Sequence, residues 1–170
     1  FSQSGSNITV TRLTDKITQF SAPFFGTTVN WIASVGEDGI LLVDDGPKEM
    51  TSEMENLLKT MGNGKVKIII NTHAHKEHLA GNAAFGNDVI KIAHESVRNR
   101  IQQGAYLLEE FPPEVLPTLT FTDSLALYFN GEKIRLIALP GAHDDGDIIV
   151  HFTSSKVVST GALCSGNNLP

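Results

Sequence analysis

Val66-Lys67-Ile68-Ile69-Ile70-Asn71-Thr72-His73-Ala74-His75-Lys76-Glu77-His78-Leu79-Ala80-Gly81 is the stretch that decides how this chain is read. Val66 to Ile70 is a short apolar run between Gly64 and Asn71, which suits a buried central strand. Three of the six histidines of the chain follow at once, at His73, His75 and His78. Where a chain leaves a strand still extended, residues i and i+2 point the same way, so His73 and His75 present two imidazoles to one ion. Glu77 and His78 follow where the chain turns into a helix. Imidazole and carboxylate suit Zn²⁺ or iron. A catalytic zinc site takes a third protein ligand and keeps one position open. The expected third ligand is His143, in the loop Pro140-Gly141-Ala142-His143-Asp144-Asp145-Gly146-Asp147. Three neutral imidazoles leave the ion its double charge, which lowers the pKa of bound water toward about 7. Hydroxide is then available at neutral pH to attack a carbonyl or phosphoryl centre.

Working outward, residues 8–13, 17–20, 27–35 and 40–43 read as an antiparallel meander, rich in β-branched types and punctuated by Asp15, Pro23, Gly26 and Gly39. Met50, Met54, Leu57, Leu58 and Met61 then recur on one face of a helix, with Pro47 near its start and Gly62 beyond its end. That stripe reads as core packing. Strand, helix and strand in sequence imply a crossover unit. Residues 79–85 read as a short helix, 89–93 as a strand and 95–110 as a longer helix ended by Pro112 and Pro113. Strands are expected again at 118–121, 125–129, 133–139, 148–152 and 156–160, with an Asn130-Gly131 hairpin turn. The alternation is that of an α/β protein.

The 170 residues suit one domain over residues 1–170. Hydrophobic residues at 41% and charged residues at 19% are globular proportions. Thirteen Lys and Arg against nineteen Asp and Glu give a net charge of −6, and no basic run supplies a phosphate-binding face, so the expected partner is a small-molecule substrate, with no nucleic acid. No apolar stretch approaches the roughly 18 residues of a membrane span, and the polar start from Ser2 to Asn7 is no secretory signal. A lone Cys164 forms no internal disulfide, which leaves the compartment open. His94 and His151 read as packing or surface residues, and Asp145 and Asp147 as groups that cap or orient their loop. Trp31 and Phe24-Phe25 suit either a buried core or an apolar flap over a ligand.

The histidine segment resembles the His-x-His-x-Asp-His hallmark of the metallo-β-lactamase superfamily. Leu41-Leu42-Val43-Asp44-Asp45-Gly46 is similar to that family's Leu-Val-Asp-x-Gly segment, and Gly141-Ala142-His143-Asp144-Asp145-Gly146-Asp147 to its Gly-x-His-Thr-x-Gly-Asp loop. The resemblance implies an α/β fold, an αββα sandwich with metal at one edge of two facing sheets. It implies a metal-dependent hydrolase that cleaves an amide or ester bond of the β-lactam or thioester type. The metal ligands implied are His73, His75 and His143, with Glu77, His78 and Cys164 as further candidates. Glu77 is the expected catalytic carboxylate, orienting the attacking hydroxide or taking its proton.

The departures bear on metal number. Glu77 stands where the family has Asp, which pushes the carboxylate out by one carbon, about 1.5 Å. Ala162 stands where the family has a bridging Asp or Cys, and it cannot ligate; Cys164, two residues on, shares the strand face if the strand continues, and either supplies a thiolate or is packed. One zinc ion is therefore expected, with two as an alternative. Alternative functions are a mononuclear iron dioxygenase of the same fold, and an impaired variant or fragment that keeps the fold. The second half of the sandwich reads as incomplete, its last histidine ligand and helix layer falling beyond residue 170. Apolar surface left exposed by that gap would be covered by a further segment or by a second copy.

Overall fold

The protein is seen in a computed structural model that describes residues 7–104 and 111–164. Strands β1 (Thr9–Arg12), β2 (Ile17–Phe24), β3 (Thr27–Gly36) and β4 (Gly39–Val43) form the expected antiparallel meander. From β4 the pairing turns parallel, through β5 (Val66–Ile70), β6 (Ile90–His94) and β7 (Leu119–Phe121), so that one sheet holds seven strands in sequence order. Each parallel step needs a crossover. These are α1 (Thr51–Lys59), α2 (Lys76–Leu79) with the 3₁₀ turn Ala80–Phe85, and α3 (Glu95–Gln102). A second, antiparallel sheet follows from β8 (Ser124–Phe129), β9 (Glu132–Ala138), β10 (Ile148–Phe152) and β11 (Val157–Ser159).

The layering is written into β4, which is buried at every position. Successive side chains of a strand face opposite ways. Ile40 and Leu42 join Phe20, Trp31, Met54 and Leu58 in the core under α1, which confirms the methionine stripe as packing. Leu41 and Val43 join Ile134, Leu136, Ile148 and Phe152 of the second sheet. The order is thus helices, sheet, sheet, as the αββα reading requires for these layers. Trp31 is core, only 1% exposed, whereas Phe25 is 88% exposed at the tip of the β2–β3 hairpin. No helix among the described residues is long and apolar enough to cross a membrane.

Several boundaries differ from expectation, each for a physical reason. Strand β2 runs on through Pro23, paired with Thr28 of β3. β1 reaches only as far as Ser21, so Pro23 lies on a free edge where its missing N–H costs no ladder bond. The segment after α2 is a 3₁₀ turn, and α3 ends at Gln102, while residues 105–110 of the expected longer helix lie outside the described residues. β11 stops at Ser159, and Gly161–Leu163 is a 3₁₀ turn, so the strand-face relation expected between positions 162 and 164 does not exist.

Three chain ends meet at one rim: the C-terminal ends of β4 and β5, and the β9–β10 loop. Ile148 N–H donates to Thr72 O at 2.9 Å, which fastens the second sheet directly to the histidine segment. If the inter-sheet core holds this rim together, Leu136→Ala should cost about 2–5 kcal/mol of unfolding free energy, read in urea with an unchanged slope.

Candidate metal centre

Asp44 closes β4 with a left-handed backbone, φ +60°, which an aspartate tolerates better than most residues. Its carboxylate is buried and accepts three hydrogen bonds: Oδ1 from Thr72 N at 2.8 Å, and Oδ2 from Thr72 Oγ1 and from His78 Nδ1, both at 2.8 Å. Thr72 Oγ1 also lies 3.0 Å from His73 Nδ1. A hydroxyl has one proton to give, and the ionised carboxylate can only accept. Thr72 therefore donates to Asp44 and accepts from His73, which places the proton of His73 on Nδ1 and leaves Nε2 with a lone pair. That Nε2 is buried and has no hydrogen-bond partner among the described residues. An orphaned acceptor of this kind is costly unless something occupies its lone pair.

His75 Nδ1 and His143 Nε2 lie 3.1 Å apart, close to the roughly 3.3 Å that two nitrogens adopt on a tetrahedral zinc with bonds of about 2.0–2.1 Å. One ring nitrogen from each of His73, His75 and His143 falls within a 4.8 Å group. Burial falls from His73 through His75 to His143, so the group has a closed back and an open front. Burial, aided by His78, His75 and His143, pushes His73 down to about 2. Burial likewise lowers His75, against an upward pull from Glu77. Both are thus neutral, as ligation requires. His78 goes the other way: burial alone lowers it, but the charge and hydrogen bond of Asp44 outweigh that and raise it.

The loop carrying His143 is folded on Asp147, as read from the sequence. Asp147 is buried, and its Oδ2 accepts the amides of His143 at 2.6 Å and Asp144 at 2.5 Å. Asp144 Oδ1 accepts Gly146 N at 2.6 Å. On the opposite side, Gly161 has φ +55°, and a Cβ there would lie 2.5 Å from Thr72 Oγ1. Only glycine fits, so the turn that follows β11 packs on the hydroxyl that sets the tautomer of His73.

The structure brings His73, His75 and His143 together and does not draw the other candidates into that group. His78 is turned to Asp44. Glu77 is half-buried on α2, its carbonyl accepting Trp31 Nε1 at 3.4 Å. Cys164 is exposed beyond the 3₁₀ turn rather than packed. His94 is buried and structural: Nδ1 accepts Ser96 N at 3.2 Å, capping α3, and Nε2 donates to Thr122 O at 2.8 Å. Reading residue types alone missed Asp44 and Thr72 as parts of the site. The signal for Asp44 was its place in Leu41 to Gly46; Thr72 had none beyond adjacency to His73.

The family model of the metallo-β-lactamase superfamily matches residues 23–163. Among solved structures, a metallo-β-lactamase from Pontibacter korlensis superposes with a TM-score of 0.72 at 21% identity, over 89% of this chain and 69% of that one. The DIM-1 metallo-β-lactamase gives 0.78 at 16% identity, over 96% and 73%. A mutant flavo di-iron protein from Thermotoga maritima gives 0.65 at 17% identity, over 86% of this chain and 40% of that one. At such identities the likeness is one of fold, and the fold carries more than one chemistry.

Two outcomes follow from this geometry. Thr72→Val should weaken zinc binding about 10- to 100-fold in a competition titration, while Thr72→Ser keeps it, because only the hydroxyl links Asp44 to His73. The second concerns acid. With a native pKa of about 2 and an unfolded value of 6.5, His73 takes a proton on unfolding anywhere between, so metal-free stability falls as pH drops below about 6.5. His78, raised when folded, is protonated in both states in that acid window and adds no slope there. Between pH 4.5 and 6, His73→Asn should flatten the dependence of unfolding free energy on pH by up to about 1.4 kcal/mol per unit, measured by urea unfolding.

Proposed function

The chain belongs to the metallo-β-lactamase superfamily, and from that premise we propose that it is a metal-dependent hydrolase cleaving an amide or ester bond of the β-lactam or thioester type. The observation that carries the reading is the convergence of His73, His75 and His143 around a buried imidazole nitrogen that nothing among the described residues satisfies. These three residues hold one zinc ion. Glu77, His78 and Cys164 are the donors available to a second. A divalent ion held there supplies Lewis acidity toward a carbonyl oxygen and lowers the pKa of water toward about 7.

The side chains of this chain divide the remaining work. Glu77 is the general base: a carboxylate oxygen takes the proton of the attacking water and returns it to the leaving group. Its extra methylene, compared with the family's aspartate, gives it the reach to act on water rather than sit close to an ion. Phe25 offers an exposed ring at the hairpin tip, and the Lys76 ammonium lies 5.9 Å from that ring's centre. Lys76 directly follows His75, so ring and cation stand at the lip of the histidine group, where the ring covers an apolar part of the substrate.

A second reading, an iron enzyme, draws on the fold shared with the flavo di-iron protein. An all-imidazole set does not choose between zinc and iron. Elemental analysis of the purified protein decides: one equivalent of zinc is expected, iron with oxygen uptake would replace the hydrolase reading, and absence of any retained metal would overturn both. With zinc present, a chromogenic β-lactam or a thioester should be turned over, and a chelator should abolish that turnover. Glu77→Gln should lower kcat about 10²- to 10⁴-fold with zinc content unchanged; an unaltered kcat would remove Glu77 from the mechanism.

A further inference from the structure

His143 is the exposed member of the histidine group, carried on a loop rather than on a strand or helix. Asp147 gathers the loop's own amides. A tie to the rest of the fold comes from α3. Gly146 lies so close to this helix that a Cβ there would meet Val97 Cγ2 at 2.8 Å and Val97 N at 3.3 Å. One turn further along α3, Arg100 Nε pairs with Asp145 Oδ1. The helix is itself fixed, by the His94 cap at its start, by burial of Val97, and by Arg98 donating to Pro117 O.

Resting on the metal-centre reading above, we infer that Arg100 is a positioning residue, clamping Asp145 so that the loop presents His143 to the group formed by His73 and His75. Two contacts from one helix face, at Val97 and Arg100, reach neighbouring loop residues, Gly146 and Asp145. Together they fix both the depth and the sideways position of the loop. The ion pair is part-exposed, with side-chain exposures of 29% for Arg100 and 56% for Asp145, so its effect is modest and screened by salt.

The sign of the effect separates a clamp from a bystander. A cation that merely stands near a divalent ion repels it, so removing that cation tightens binding. Removing a clamp loosens the third ligand and weakens binding. Arg100→Ala should therefore weaken Co²⁺ affinity about two- to fivefold at low salt, with the visible cobalt spectrum losing intensity as water replaces His143. Asp145→Asn should do the same, and the exchanged pair, Arg100→Asp with Asp145→Arg, should recover both affinity and spectrum. In the metal-free protein, amide exchange at His143 and Asp144 should quicken in Arg100→Ala and slow again in the exchanged pair, with no change at His73. Unchanged or tighter cobalt binding together with unchanged exchange would overturn the inference. Failure of the unaltered protein to bind cobalt, with exchange still responding to Arg100, would instead overturn the metal-centre reading and leave the clamp standing.

Discussion

One buried carboxylate organises this rim. Asp44 sits where β4 ends, in a left-handed conformation, and satisfies itself with the Thr72 amide, the Thr72 hydroxyl and the His78 imidazole. A charge taken out of water is tolerable only when so completely hydrogen-bonded. The same bonds fix the histidine segment against the neighbouring strand and, through the hydroxyl, decide which nitrogen of His73 carries the proton. Its neighbour Asp45 is also buried, and its carboxyl is pushed well up, first by burial and then by the charge of Asp44. Two adjacent buried carboxylates cannot both stay ionised cheaply, which is the cause of the upward push on Asp45.

From that fixed point, order declines outward. His73 is held by a hydroxyl whose own partner is buried; His75 follows two residues on, past the bends at 72–74; His143 arrives from the second sheet on a loop. The group thus combines a rigid base with a member that needs separate support. The bond from Ile148 to Thr72 supports the loop at its root, and Gly161 wedges the far side against Thr72. Both act on the residue beside His73, so the two sheets are referenced to the same atom cluster rather than to each other at a distance.

Much of the architecture was legible because it rests on local pattern. The apolar run at 40–43, the methionine stripe and the histidine spacing are each contained within a dozen residues or fewer, so each is decided locally. The role of Asp44 rests on contacts 28 and 34 residues away, and no periodicity announces such a contact. Cys164 was misplaced for a related reason. Its expected position assumed a strand through residue 162, whereas a glycine with φ +55° turns the chain one residue earlier. Pro23 reads as a breaker because the sequence does not show that its strand is already an edge there.

The proposed preference for one ion follows from where the remaining donors are committed. Ala162 offers no ligand, and the turn that begins at Gly161 leaves Cys164 exposed and outside the histidine group. His78 has its Nδ1 engaged by Asp44, which favours the protonated ring, and a protonated imidazole must lose its proton before it can ligate. Loading a second ion through His78 would therefore cost that ring its proton, and under the proposed reading Glu77 is left for proton transfer.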